Sequence, residues 1–131
     1  MAATTAIDRF LTSVCDPTAP TDDLFSEDVT LDATVPGWRF TLHGGDPVRA
    51  KFAEWFADPG AFELVQRTPI PGGELVRIYL TWTEHGVLHA AHQAHVLTLA
   101  DDRICADVMW CGGRWPASLL AEMDAADRVH A

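Results

Sequence analysis

Val76, Ile78, Leu80 and Trp82 alternate with Arg77, Tyr79, Thr81 and Thr83, a two-residue period that only an extended strand can use to bury one face. The strand from Leu75 to Thr83 is followed by His85-Gly86, which reads as a tight two-residue hairpin turn. Leu88 to Leu99 reads as a long second strand, Asp101-Asp102-Arg103 as a three-residue loop, and Ile104 to Cys111 as the return. Upstream, Phe62 to Thr68 ends at the turn signal Pro71-Gly72-Gly73. Further upstream Val29, Leu31, Ala33 and Val35 alternate with Thr30, Asp32 and Thr34, with Trp38 to Leu42 as a short companion strand. The core of the fold is therefore an antiparallel meander.

The remaining segments carry helical spacing. Ile7, Phe10, Leu11 and Val14 form one apolar stripe, with Thr4 or Thr5 as N-cap and Asp16-Pro17 as the stop. Thr21 followed by Asp22 and Asp23 predicts a second short helix that buries Leu24 and Phe25. Asp46-Pro47 reads as an N-cap with proline at the first helical position, Val48, Phe52, Trp55 and Phe56 share a face, and Asp58-Pro59-Gly60 closes the helix. Pro116 to Ala126 reads as an acidic C-terminal helix with Leu119, Leu120 and Met123 inward. Helices combined with a meander give an α+β fold in which a curved antiparallel sheet wraps around helices and leaves an internal pocket.

At 131 residues and 48% hydrophobic, the chain fits a single domain spanning residues 1–131. A net charge of −10 repels phosphate backbones and anionic lipid, so neither nucleic acid nor membrane is expected as a partner. No apolar run approaches the roughly 18 residues a spanning helix needs, the start lacks a basic and apolar leader, and the expected compartment is the cytoplasm. The cysteines number three; Cys105 and Cys111, six residues along one strand, are some 20 Å apart, and reduced thiols follow.

Residues opposite one another across a ladder share a face, so the two hairpins assign the pocket. The first pairs Trp82 with His89, Ile78 with Gln93 and Val76 with His95; the second pairs Leu99 with Cys105, Leu97 with Asp107, His95 with Met109 and Gln93 with Cys111. The concave face then carries Leu31, Ala33, Leu80, Trp82, Met109 and Cys111 around one polar patch of Gln93, His95 and Asp107, with His89 near its edge. An imidazole leaning on a buried carboxylate is held in one tautomer and moves protons near neutral pH; the same three groups equally satisfy one another inside a core. His89 and His95 lie some 20 Å apart at strand rise and His92 faces the other way, so no metal site is expected. Gly112-Gly113 bends the last strand, leaving Arg114 to hold a ligand carboxylate at the rim or to form an ion pair. Trp38, Trp55 and Trp82 pack first and wall the ligand second.

Leu24-Phe25-Ser26-Glu27-Asp28-Val29, Gly44, Asp46-Pro47, Glu84-His85-Gly86 and Leu99-Ala100-Asp101-Asp102-Arg103-Ile104 occur in an order that resembles the nuclear transport factor 2 superfamily, of the SnoaL-like kind. The resemblance implies a cone-shaped α+β fold and relatives that include steroid isomerases, polyketide cyclases, epoxide hydrolases and scytalone dehydratase, alongside noncatalytic modules. In the steroid isomerases an acidic oxyanion donor stands where this chain has His95, and the carboxylate base where it has Ala33. Leu80, Trp82 and Met109 replace the arginine and aspartates of the epoxide hydrolases, and His89 with His95 loosely resembles the paired histidines of the dehydratase.

Two readings follow. In the first, the chain is a cofactor-free isomerase, cyclase or dehydratase acting on a hydrophobic, carbonyl-bearing small molecule. His95 is its general acid/base, Asp107 the orienting partner, and Gln93 a donor to the developing enolate oxygen. Leu31, Leu80, Trp82, His89, Met109, Cys111, Trp38, Trp55 and Arg114 then contact the substrate. That reading expects His95→Ala to abolish turnover with little change in melting temperature. In the second, the chain is a noncatalytic binding or assembly module, which Ala33 favours. The apolar convex face, with Tyr79, Ala90, His92, Ala94, Val96, Val108 and Trp110, predicts a twofold homodimer, which the resemblance also implies.

Overall fold

The structure, a computed structural model, describes residues 5–58 and 60–130. In chain order the elements are α1 (Ala6–Cys15), β1 (Phe25–Val35), β2 (Trp38–His43), α2 (Gly45–Trp55), β3 (Gly60–Ile70), β4 (Gly73–Glu84), β5 (Val87–Ala100), β6 (Arg103–Cys111), β7 (Trp115–Pro116) and α3 (Ala117–His130). The strands form one curved, unclosed sheet in the order β2-β1-β6-β5-β4-β3, with β7 beside the start of β5. Helices α1 and α2 lie against its concave side and enclose a core centred on Phe10, Phe52, Leu31, Ile78 and Leu97. None of the helices among the described residues is long and apolar enough to cross a membrane.

The meander forms in the expected strand order from β3 to β6, with the pairing across β4 and β5 as expected, and the sheet gains one parallel pair, β1 with β6, where Leu31 faces Asp107 and Ala33 faces Met109. The sheet is thus mixed and not wholly antiparallel, because after β2 the chain crosses through α2 to the far edge at β3, and the meander from there brings β6 beside β1 in the same direction. At the first hairpin His85 and Gly86 both take positive φ, 51° and 77°, the geometry of a two-residue turn whose twist matches its strands.

The second hairpin differs from the sequence reading. Its loop has two residues, Asp101 and Asp102 at φ 53° and 57°, so Leu99 pairs with Ile104 and not with Cys105. A one-residue bulge at Cys105 then shifts the ladder, and beyond it Leu97 faces Asp107, His95 faces Met109 and Gln93 faces Cys111 as expected. One residue removed from the loop and one added to the strand leave every side chain past the bulge on its intended face.

Two helix assignments also change. Thr21 to Leu24 forms a single turn closed by the Leu24 amide on the Thr21 carbonyl at 3.2 Å, because β1 begins at Phe25 and leaves no length for a helix. The third predicted helix is α2, and its N-cap is Gly44, at φ 98°, not Asp46, which lies in the first turn. It ends at Trp55, ahead of the Asp58-Pro59-Gly60 stop, of which Pro59 lies outside the described residues. Helix α1 is capped by Thr5 in a capping box with Asp8, and α3 covers the predicted C-terminal segment with Leu119, Leu120 and Met123 half-buried.

Carboxylates pin α1 to the sheet. Asp102 accepts from the Ala6 backbone amide at 2.9 Å and from Arg9 at 3.1 Å, and Arg67 on β3 joins Asp8 at 2.7 Å to Glu74 at 2.6 Å. The Ala6 amide first and Arg9 second hold Asp102 below its ordinary 3.8, and the Arg67 guanidinium does the same for Asp8. The unfolded chain therefore takes up protons more readily than the folded one as acid is added. Stability from these contacts is present above the ordinary 3.8 and is lost below it, as the pH falls through the lowered folded-state values. Thermal unfolding followed across pH should give a melting temperature that is level down to about pH 5 and falls below about pH 4, with a shallower fall in Asp102→Asn.

Candidate functional site

Between the concave face, the C-terminal end of α2 and the β1–β2 turn lies a cavity of about 430 Å³. That volume suits a small organic ligand. Its depth is formed by buried members of the lining, Val14, Phe56, Leu80, Ala91, Gln93 and Met109, while the exposed members, Pro36, Asp58, Gly60, Ala61 and Arg114, mark its mouth. Phe40, Trp55, Trp82 and Cys111 stand between the two. The wall is almost wholly apolar, so each polar group on it weighs heavily in deciding what is held there.

The polar patch is one hydrogen-bonded chain. His95, with no exposed surface, places Nδ1 2.8 Å from Asp107 Oδ2 and Nε2 2.9 Å from Gln93 Oε1. Phe10 and Phe52 hold the imidazole between them, with ring centres 5.1 and 6.4 Å away. Gln93 and His95 share a face because they are two apart on β5, and the longer glutamine folds over the imidazole. Its carbonyl oxygen is thereby engaged inward and its NH₂ is left on the cavity side, 3.9 Å from Cys111 Sγ. Each ring nitrogen faces an oxygen, a pattern that suits the doubly protonated ring against the Asp107 carboxylate. An inverted amide would suit the neutral ring and turn an oxygen to the cavity. Asp107, 1% exposed, has no hydrogen-bond partner for Oδ1 among the described residues.

Seven of the residues expected to contact a ligand line the cavity: Gln93, Leu80, Trp82, Met109, Trp55, Cys111 and Arg114. His95 and Asp107 do not. They lie behind Gln93, so neither is placed to touch a ligand directly. Leu31 is buried in the core, and His89 stacks on Trp82 at 5.7 Å with Nδ1 2.9 Å from the Val87 carbonyl. Trp38 is 69% exposed. It shares its side of β2 with Phe40 and Leu42, but strand parity sets only the direction of a side chain, not whether anything lies over it. Arg114 sits at the mouth as expected and its partner there is Glu84, at 2.5 Å.

Sequence reasoning missed Val14, Phe56, Asp58 and Ala91 as cavity residues. Val14 and Phe56 were assigned to helix faces that pack the core, and Asp58 to a helix stop. Ala91 was legible, since it pairs with Leu80 and its small side chain leaves the space the cavity occupies. Among the described residues no cluster of three or more His, Cys, Asp or Glu is placed to hold a metal ion.

No family model matches the chain, and no curated protein does. Solved structures share its fold. An NTF2-like protein from Anabaena variabilis superposes with a TM-score of 0.69 at 13% identity, over 82% of this chain and 84% of that one. An LEH-like epoxide hydrolase from M. tuberculosis gives 0.62 at 13% identity, over 81% and 79%. A protein with a ketosteroid isomerase-like fold from Catenulispora acidiphila, in complex with trimethylamine, gives 0.61 at 13% identity, over 85% and 88%. The chain has the NTF2-like α+β cone fold. Such a scaffold carries more than one chemistry, so function rests on the site.

Proposed function

We propose that the cavity binds a hydrophobic small molecule bearing a carbonyl oxygen and that the protein acts on it as an isomerase, cyclase or dehydratase through enolate chemistry. One observation carries this reading: the buried chain Asp107–His95–Gln93 ends in an amide NH₂ at the wall of an apolar cavity. That NH₂ engages Cys111 Sγ at a long 3.9 Å, a weak acceptor, and a carbonyl oxygen is a stronger one. As a proton leaves the adjacent carbon, negative charge collects on that oxygen and the Gln93 N–H bond strengthens, which lowers the barrier. His95 and Asp107 are positioning residues in this scheme, since they hold the Gln93 carbonyl and so aim its nitrogen. Asp58 is the carboxylate on the cavity lining and supplies the proton acceptor. The reading calls on no cofactor. It includes a twofold dimer through the convex face, where Leu88 and Trp110 are each 48% exposed.

The test uses 2-tetralone, a rigid ketone that fits the cavity's size class, and follows exchange of its α-protons in D₂O by NMR. Exchange above the buffer rate is expected, falling by about 10² to 10³ in Gln93→Leu, the usual cost of losing one oxyanion donor. Asp58→Asn should return it to the buffer rate. Affinity for the ketone should exceed that for the hydrocarbon tetralin, and Gln93→Leu should erase the difference. Ketone binding without exchange would support the second reading, a noncatalytic binding module. That reading draws on Ala33, which leaves the first strand without a carboxylate, and on the complete burial of the His95 ring. Failure of the ketone to bind would sink both.

A further inference from the structure

Arg114 is the cation among the described residues that line the cavity, and an unengaged guanidinium at an apolar mouth recruits carboxylates. This one is engaged. Its Nη2 lies 2.5 Å from Glu84 Oε2, and its Cζ stands 5.1 Å from the centre of the Trp82 ring. The same Glu84 oxygen accepts from Trp82 Nε1 at 3.2 Å, which strand parity makes possible because residues 82 and 84 share a side of β4. Glu84 is itself outside the lining, so its effect on a ligand runs through Arg114. The mouth thus carries the carboxylates of Glu84 and Asp58 beside this guanidinium, and the nearby Lys51 ammonium, 5.5 and 5.9 Å from the centres of the lining Phe40 and Trp55 rings, is paired with Glu54 at 3.3 Å. An anionic ligand arriving there meets cations that are already satisfied.

We infer that Glu84 is a specificity-determining residue that neutralises Arg114 and so reserves the cavity for uncharged ligands. The inference rests on the ligand-binding reading of the same cavity and deepens it by naming the charge class of the ligand. The indole N–H first, and the guanidinium second, hold the Glu84 carboxyl below its ordinary range, so the neutralisation persists across physiological pH.

Two probes of one shape separate the cases: 2-acetylnaphthalene, a neutral ketone, and 2-naphthoate, its carboxylate counterpart, titrated calorimetrically at low salt. The protein should prefer the ketone by about tenfold or more. Glu84→Gln keeps an acceptor for the Trp82 indole while freeing Arg114, and should raise naphthoate affinity about tenfold, a gain that shrinks with added salt. Adding Arg114→Gln should cancel the gain, and thermal unfolding of both variants verifies that they fold. Naphthoate bound as tightly as the ketone by the unaltered protein, or unmoved by Glu84→Gln, overturns the inference while leaving the cavity reading intact. If neither probe binds the unaltered protein, the cavity reading falls and the charge selectivity falls with it.

Discussion

Replacing His95 with alanine is expected to lower the melting temperature by roughly 10–20 °C, because removing one partner of a buried, hydrogen-bonded His–Asp pair costs about 3–5 kcal/mol and each kcal/mol is worth about 4 °C in a domain of this size. Asp107 lies between Leu31 and Leu97 in the sheet, and its Oδ1 already lacks a partner among the described residues. Without the imidazole its other oxygen loses the 2.8 Å contact as well, and a carboxylate with no surface exposed is left in apolar surroundings. The double replacement His95→Leu with Asp107→Leu should recover most of the loss, since removing both members leaves no charge to desolvate. Thermal unfolding by circular dichroism measures both variants; a drop of only a degree or two in His95→Ala would show that the His95–Asp107 contact adds little to the fold. The complete burial of the ring argues against the sequence-based expectation that this substitution spares folding. The chemistry is therefore better probed through Gln93, which reaches the cavity wall.

Phe52→Ala should be comparably severe, at about 3–5 kcal/mol. Phe52 is the hub of the aromatic core, with ring centres 5.8 Å from Phe10, and 5.7 Å from each of Phe25, Trp55 and Phe56. Its neighbours belong to α1, β1 and α2, elements too far apart in sequence to close together over the space it would leave. Trp55 and Phe56 also line the ligand cavity, so truncation should loosen the site as well as the fold. Urea unfolding should show a lowered midpoint at an unchanged slope, the signature of lost packing in a fold that still unfolds as one unit. A variant that keeps its midpoint would mean that α2 is not anchored through this ring.

Much of this fold was legible because strands advertise themselves locally. The alternation in β1 and β4 and the turn at His85-Gly86 depend on residues next to one another, and the pairings they imply all formed. The loop at Asp101-Asp102 was misjudged by one residue, yet the bulge at Cys105 restored the parity, and His95, Asp107 and Gln93 share the concave side as the pairing argument required. Thr21 to Leu24 failed for the opposite reason. Its acidic residues fit a helix start, but whether a helix follows depends on how soon the chain must join the sheet, and pairing of β1 begins at Phe25.

The sequence by itself determined the pairing across the first hairpin and which side of the sheet each residue of β4, β5 and β6 faces, because strand parity and turn sterics act over one or two residues and are written into the chain. Only the tertiary structure decided the parallel pairing of β1 with β6, depth and partnership. It set Gln93 in front of His95, left Trp38 without cover, drew Asp58 onto the cavity and joined Arg114 to Glu84 across 30 positions of sequence. Those outcomes follow from how α1 and α2 close over the concave face and how far the sheet curves. That closure is a collective result of burying apolar surface from many distant residues at once, and no local pattern carries it.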